Sequence, residues 1–133
     1  MPEIIRVVGA VIFDPKSDRY YVGQRAKNKK HPLKWEFIGG KVMDGEDILK
    51  ATEREFKEEV NQDIVAEELL KSWEYDYGGE IGKIEINFVK CKCFTGEPKF
   101  NVEVYKVCKW IPKNELSNLD WIEADKEFGL SLI

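Results

Sequence analysis

The first quarter of the chain contains two apolar strand patterns, which a turn separates and a polar segment follows. Residues 4–13 are almost continuously apolar and rich in β-branched side chains, which is typical of a strand buried on both faces. Turn-forming residues follow at 14–18, and residues 19–25 resume the strand pattern, so the sequence predicts a hairpin. Residues 26–34 are polar and basic, which indicates an exposed loop.

The next segment predicts a short strand and then one helix. Residues 35–38 favour a strand that runs into Gly39 and Gly40. Asp47 is suited to cap a helix that runs from 48 to about 60. Apolar side chains recur along this helix at spacings that give it one buried face: Leu49, Phe56 and Val60.

The second half of the chain predicts further strands and two helices. The predicted strands are 73–77, 83–94 and 104–111, with a short helix at 114–116 and a final helix from about 122 to 132. No repeat, low-complexity tract or linker divides the sequence. We therefore expect a single domain over residues 1–133, of mixed α/β class.

Composition and charge narrow the classes of partner. Apolar residues make up 43% of the chain, enough for one core. The 21 Lys and Arg against 25 Asp and Glu give a net charge of −4, which argues against a protein that coats a nucleic acid polymer. No apolar run approaches the about 20 residues of a spanning helix, so no membrane partner is expected.

Cysteine and histidine usage bears on the cellular compartment. The N-terminus lacks the pattern of a signal peptide, and the cysteine count is odd, so we expect a cytoplasmic protein with reduced thiols. Cys91 and Cys93 are two apart, which places both on one face of the predicted strand as small core residues. His31 is the lone histidine, and a zinc site is not expected.

Three carboxylates on the first helix carry the candidate chemistry. Glu55, Glu58 and Glu59 are spaced i, i+3 and i+4, so they project from one face. Crowding like charges destabilises a helix, and a hard divalent cation such as Mg²⁺ relieves that repulsion. On spacing alone the alternative remains a solvated acidic face, with Arg54 and Lys57 as ordinary partners.

The residues before the helix favour the metal hypothesis. Gly39 and Gly40 let the backbone approach a ligand or ion closely. Glu46 precedes the helix at a distance from which it can face Arg54. These residues predict a loop–helix unit whose acidic face meets a glycine-flanked cavity.

This stretch resembles the Nudix box. In words, the box is Gly, five residues, Glu, seven residues, Arg-Glu, a bulky apolar residue, any residue, Glu-Glu, any residue, Gly and a bulky apolar residue. The matching positions need no gap and are Gly40, Glu46, Arg54, Glu55, Phe56, Glu58 and Glu59. Asn61 and Gln62 depart from the last two positions, and Asn61 is suited to the left-handed conformation that ends a helix.

The resemblance extends over most of the chain. Segments such as Gln24-Arg25-Ala26, Lys34-Trp35-Glu36-Phe37 and Trp110-Ile111-Pro112 look like the corresponding parts of MutT-like nucleoside triphosphate pyrophosphohydrolases. The resemblance implies the Nudix fold, an α/β/α sandwich with a mixed β-sheet and a catalytic loop–helix unit. Only the box is highly specific.

The resemblance also implies a metal site and catalytic roles. Nudix enzymes use Mg²⁺ or Mn²⁺, and the implied ligands are Glu55, Glu58, Glu59 and the Gly39 carbonyl. Glu55 would activate the nucleophile. Arg54 would orient Glu55 and pair with Glu46. In MutT a later loop adds one more Glu where this chain has Lys109; Glu103 is the nearest substitute, so the number of metals stays open.

The implied substrate contacts divide into a phosphate end and a base end. Arg25 and Lys41 match positions that face phosphates in MutT-like enzymes, and Gly40 is a further candidate for substrate contact. For each of the two basic residues the alternative is a solvated surface charge, and for Lys41 its position directly after the glycine pair favours the phosphate role. Phe37 or Phe88 would stack on the base, with core packing as the alternative.

Asp125 lies where such enzymes read the base edge. A carboxylate there would accept from an amino group, and a protonated carboxyl would also donate. The sequence therefore favours a base that bears an amino group. The alternative is an acid that suits the N-terminal dipole of the last helix.

The function that follows is Mg²⁺-dependent hydrolysis of a nucleoside or deoxynucleoside triphosphate to the monophosphate and pyrophosphate, including an 8-oxo-dGTP or CTP type. One alternative is a pyrophosphatase of another nucleoside diphosphate derivative such as ADP-ribose. Another is a Nudix-fold module that binds nucleotides without catalysis. The sequence leaves open whether the chain is a monomer or a homodimer.

Overall fold

A computed structural model of the chain describes residues 4–132. Residues 1–3, where the signal-peptide expectation begins, and residue 133 lie outside the described part. Within it the elements are, in chain order, β1 (Ile5–Asp14), β2 (Arg19–Arg25), β3 (Trp35–Glu36), β4 (Ile38–Lys41), α1 (Ile48–Val60), β5 (Ala66–Asp76), β6 (Lys83–Cys91), β7 (Tyr105–Pro112), a 3₁₀ helix (Lys113–Asn118) and α2 (Glu123–Ser131).

The strands form one mixed sheet around β1. The order along the sheet is β3-β2-β1-β6-β5, with β4 also paired to β1 and β7 to β2. β1 and β6 run parallel, whereas the other pairs are antiparallel. Val8, Val11 and Ile12 of β1 are buried, as a continuous apolar strand at the centre of a sheet requires. The predicted hairpin of β1 and β2 is confirmed.

Helices cover both faces of the sheet. Phe56 and Val60 of α1 pack into one core cluster, and Ala124 and Phe128 of α2 pack into a second. The predicted α/β/α sandwich is therefore confirmed. Neither α-helix within residues 4–132 has the length and apolarity that crossing a membrane demands.

Both ends of α1 are set by local hydrogen bonds. The Asp47 carboxylate accepts from the backbone N–H groups of Leu49 and Lys50, at 3.1 and 3.2 Å. Asn61 adopts φ 55° and donates its N–H to the Lys57 carbonyl oxygen. The predicted cap and the predicted left-handed end are both confirmed, and they fix where the acidic residues of α1 lie.

The single strand predicted over 35–38 is divided at Phe37. β3 pairs with β2, whereas β4 pairs with β1, so the chain passes from one neighbour to the other at this residue. Gly39 and Gly40 consequently lie within β4 rather than in a loop. A local pattern cannot reveal this change, because it depends on which strand lies alongside.

Two other strand boundaries differ from the prediction. β5 begins at Ala66, well before the predicted start at 73. The sequence pattern missed residues 66–72 because they lie at the exposed edge of the sheet and show no apolar alternation. β6 ends at Cys91, which is buried, and Cys93 lies beyond the strand and is exposed. The expectation that both thiols share one strand face is therefore wrong, since strand geometry does not extend to Cys93.

Candidate functional site

Three carboxylates meet on one face of α1. Oxygen atoms of Glu55, Glu58 and Glu59 all lie within 4.8 Å of one another, as the i, i+3, i+4 spacing predicts. Glu55 is buried, Glu58 is exposed and Glu59 is half-buried. The cluster can therefore present several oxygen ligands to one ion from a partly sheltered position.

Arg54 ties this face to the segment before the helix. Its Nε and Nη2 donate to the two Glu46 oxygens at 2.8 and 2.9 Å, a bidentate pair that lowers the pKa of Glu46 to about 2. Its Nη1 donates to Glu55 at 3.0 Å and to Glu58 at 3.2 Å, and Nη2 also reaches the Lys41 carbonyl oxygen. The Arg54 guanidinium therefore connects the segment before α1, β4 and the carboxylates of Glu55 and Glu58 through hydrogen bonds.

The two glycines of β4 are required by packing. A Cβ on Gly40 would overlap the Glu55 carboxylate, and a Cβ on Gly39 would overlap the Val8 carbonyl oxygen of β1. Protein atoms occupy the space that the glycine pair leaves, and close approach to a ligand or ion stays a prediction. This packing brings the backbone of β4 against the acidic face of α1.

The electrostatics of the cluster favour a bound cation. Oε2 of Glu59 is buried and has no hydrogen-bond partner within residues 4–132. Burial, and then the charges of Glu55 and Glu58, raise the pKa of Glu59 to about 6. An unpartnered buried carboxylate oxygen beside two more carboxylates fits a hard divalent cation, which prefers oxygen ligands.

A cavity of about 460 Å³ opens beside β4. Its wall includes β4, β6, the 26–34 loop, the turn after β5 and the start of α2. Five of the substrate-contact candidates line it: Arg25, Phe37, Gly40, Lys41 and Asp125. Phe88 is not among the lining residues. The tertiary structure therefore brings together residues that lie a hundred positions apart in sequence.

Phe37 lies in the core as well as along the cavity. Its side chain is 2% exposed and stacks on Trp121 with ring centroids 5.2 Å apart. Phe88 is also fully buried, and its ring stacks on Phe128 at 4.1 Å. Core packing, the alternative stated above for both rings, accounts for these contacts, and stacking on a base stays a prediction.

Asp125 is buried against Phe37, the residue between β3 and β4. It is 4% exposed, and its Oδ2 accepts a hydrogen bond from the Phe37 backbone N–H at 2.9 Å. Burial and the Glu36 charge raise the pKa of Asp125 well above its ordinary value. The raised pKa favours the protonated form of Asp125, the second of the two cases given above, which donates a hydrogen bond as well as accepting one.

The basic candidates differ in their surroundings. Arg25 has an ion pair with Glu36, with Nη1 at 3.4 Å from the carboxylate, and its Nε donates to the Lys30 carbonyl oxygen at 2.7 Å. Lys41 is exposed at the end of β4. Arg25 is therefore held in place by the protein, whereas Lys41 reaches the cavity from solvent.

Sequence reasoning missed Glu36 and Tyr77, which also line the cavity. Glu36 carries a charge inside an otherwise apolar strand, a signal that could have identified it. Tyr77 accepts the Ala124 backbone N–H at 2.9 Å, a contact that no local pattern shows. Glu103 is outside the carboxylate cluster found among the described residues, and its N–H donates to the Asn101 side chain.

Comparison with known proteins identifies the family. A family model described as NUDIX domain matches residues 4–131. An 8-oxo-dGTP diphosphatase of Buchnera aphidicola subsp. Schizaphis graminum is 32% identical over 83% of this chain and 78% of that protein.

Solved structures agree with this assignment. The DNA mismatch repair protein MutT, of the Nudix hydrolase family, from methicillin-resistant Staphylococcus aureus 252 is 31% identical, with a TM-score of 0.76 over 99% of this chain and 97% of that one. A MutT protein of Methanosarcina mazei Go1 is 18% identical and shares the fold, with a TM-score of 0.84 over 99% and 96% of the two chains. With a family match over almost all of its length and a Nudix relative of similar sequence and fold, this chain belongs to the Nudix family and is a MutT-like Nudix hydrolase.

Proposed function

We propose that this enzyme hydrolyses a nucleoside or deoxynucleoside triphosphate to the monophosphate and pyrophosphate, in a Mg²⁺-dependent reaction. The observation that carries the proposal is the meeting of the three α1 carboxylates with the glycine strand, at the edge of a cavity with Arg25 and Lys41 in its wall. A phosphoanhydride needs charge neutralisation and an activated water, and this arrangement offers groups for both. The name of the Buchnera relative, an 8-oxo-dGTP diphosphatase, supports the same class of substrate.

The residues that would hold Mg²⁺ are Glu55, Glu58 and Glu59, together with the Gly39 carbonyl oxygen; Mn²⁺ fits the same donor set. The ion, when bound, neutralises phosphate charge and makes water more acidic. The unpartnered oxygen of Glu59 supports this assignment.

Side chains of the protein would supply the general base, its positioning and the phosphate contacts. Glu55 would accept a proton from the attacking water, and the Arg54 hydrogen bond keeps its carboxylate oriented for that. Glu46 would act by holding Arg54. Arg25 and Lys41 would neutralise phosphate oxygens, and Gly40, which also lines the cavity, would leave the Glu55 carboxylate in its place beside β4.

The base would lie at the end of the cavity where Asp125 meets Phe37. A neutral Asp125 offers a donor and an acceptor, which complements a base edge that carries both, as purines and cytosine do. The substrate proposal therefore includes both an 8-oxo-dGTP type and a CTP type, and the substrate panel decides between them.

Residues 1–133 would form one domain that acts in the cytoplasm. The match of a single family model to residues 4–131 supports one domain. The three cysteines are free thiols in the structure, which suits a reducing compartment.

A substrate panel with purified protein and Mg²⁺ tests the proposal. It should contain ribo- and deoxynucleoside triphosphates, 8-oxo-dGTP, ADP-ribose and a dinucleotide, with pyrophosphate and phosphate detected separately. Pyrophosphate released from a triphosphate is the expected result. Turnover of ADP-ribose alone would replace the substrate class, and nucleotide binding without turnover would indicate a binding module.

A further inference from the structure

A β-bulge sets Arg25 beside Tyr105. Along the pairing of β2 with β7, Gln24 lies opposite Val107, whereas Arg25 lies opposite Tyr105, so one residue of β7 is left over. Bulges next to functional sites redirect side chains. On the same strand, a Cβ on Gly23 would lie 2.7 Å from the Tyr105 ring, so Gly23 is what leaves room for that ring.

Tyr105 in turn fixes Glu36. Its hydroxyl donates to Oε2 of Glu36 at 2.9 Å, and the tyrosine side chain is 1% exposed. Burial and the neighbouring Glu36 charge keep the pKa of Tyr105 well above its ordinary value, so the hydroxyl stays a donor. Glu36 belongs to β3, which pairs with β2 at Gly23, and the three strands therefore meet at this carboxylate.

Glu36 holds one side of the Arg25 guanidinium. Nη1 of Arg25 lies 3.4 Å from each carboxylate oxygen of Glu36, and Nε is held by the Lys30 carbonyl oxygen. Within the described part of the chain, Nη2 of Arg25 has no hydrogen-bond partner. Because Arg25 lines the cavity, the anchored guanidinium has one nitrogen left for a ligand.

We propose that Glu36, fixed by Tyr105, is a positioning residue that aims the Arg25 guanidinium at the phosphates of the substrate. This inference rests on the proposed function, since it takes the ligand of Arg25 to be a phosphate chain. A role limited to compensating the charge of a partly buried arginine would affect stability alone. A positioning role also affects how tightly the substrate is held.

The test compares Glu36→Gln and Tyr105→Phe with the wild type. Glu85→Gln is the matched control, because Glu85 also pairs with an arginine at 3.4 Å, but it is partly exposed and is not among the residues that line the cavity. We expect Glu36→Gln to raise KM for the best triphosphate about tenfold and to change kcat less than about threefold. This pattern is expected because Arg25 would bind the phosphates equally in the ground state and in the transition state. Tyr105→Phe should act in the same direction, and Glu85→Gln should leave both constants unchanged.

A double-mutant cycle with Arg25→Lys separates positioning from an independent effect. If Glu36 acts through Arg25, Glu36→Gln combined with Arg25→Lys should raise KM no more than the larger single effect. The inference would be overturned if the two substitutions raised KM by factors that multiply in the double variant. It would also be overturned if Glu36→Gln left KM unchanged and only lowered the melting temperature.

A readout without substrate keeps this inference distinct from the proposed function. Rotation of the Arg25 guanidinium about its Nε–Cζ bond, followed by ¹⁵N NMR of the Nη groups, should become faster in Glu36→Gln and stay slow in Glu85→Gln, because Glu36 holds Nη1 whereas the Lys30 carbonyl oxygen holds Nε. Equal rigidity in wild type and Glu36→Gln counts against the positioning role, whatever the substrate. A wild type that hydrolyses no triphosphate, with the Arg25 signal rigid as expected, counts against the proposed function.

Discussion

Gly40 leaves the space that the Glu55 carboxylate occupies, because a Cβ at position 40 would overlap that carboxylate. The contact joins β4 to α1 at the point where the acidic cluster meets the cavity. A single methyl group at position 40 is therefore enough to displace the Glu55 carboxylate, which accepts a hydrogen bond from Arg54 and lies beside Glu58 and Glu59.

Gly40→Ala should accordingly lower kcat/KM by about 100-fold, the loss typical of a catalytic group misplaced by about 1 Å. The fold should survive, since Glu55 has a flexible side chain that can move aside. Steady-state kinetics and far-ultraviolet circular dichroism check the two expectations. Full activity in a folded Gly40→Ala protein would show that the observed position of Glu55 is not needed for turnover.

Glu58→Gln should reduce Mg²⁺-dependent turnover by about 100-fold or more while barely changing the melting temperature. The substitution removes one proposed ligand and also relieves like-charge crowding on α1. Glu53→Gln is the control on the same helix, because Glu53 lies outside the cluster and pairs with Lys50. Equal turnover in the two variants would remove Glu58 from the metal site.

Without divalent cations, the stability of the protein should depend on pH through the ionisation of Glu59. Its pKa is raised from 4.5 to about 6, so the folded protein binds this proton more tightly than the unfolded chain. The free energy of unfolding should therefore fall as pH rises from about 4.5 to about 6. The loss is at most about 2 kcal/mol, reduced by the partial exposure of the group.

Mg²⁺ should abolish this loss, because a cation stabilises the ionised form. The measurement is the melting temperature against pH in chelator and in Mg²⁺, for wild type and Glu59→Gln. The variant should show a smaller fall with pH than wild type, because Glu55 and Asp125, whose pKa values are also raised, still contribute, and it should show less Mg²⁺ stabilisation. A wild type whose pH profile in chelator matches that of Glu59→Gln would contradict the prediction.

Asp125→Asn should change the preference among bases more than the turnover of the best substrate. The amide keeps an acceptor for the Phe37 N–H, yet it replaces an acid proton by an amide donor. The raised pKa of Asp125 means that ionisation opposes folding, so the variant should be at least as stable as wild type above neutral pH. An unaltered base profile across the triphosphate panel would argue against a recognition role.

The acidic face of α1 is the part of the site that could be predicted from sequence. Asp47 and Asn61 determine the helix ends through bonds within a few residues, and helical periodicity then brings Glu55, Glu58 and Glu59 together. The assignment of Glu46 to Arg54 also rested on short spacing, and the bidentate pair is present.

The cavity side of the site could not be predicted in the same way. The division of 35–38 into β3 and β4 depends on a change of neighbouring strand. The protonation state of Asp125 depends on burial against Phe37 and on the Glu36 charge, which no spacing reports. The bond from Tyr105 to Glu36 joins residues 69 positions apart.

The sequence by itself therefore determined the family, the layered α/β class and the carboxylate face of α1. These follow from a gap-free motif and from hydrogen bonds and periodicities that act over one or two helical turns. Only the tertiary structure decided which side chains wall the cavity, that Phe37 is packed into the core, and that Glu36 anchors Arg25. Burial and electrostatic environment arise when distant strands pack together, so their effects on a side chain appear only in the folded chain.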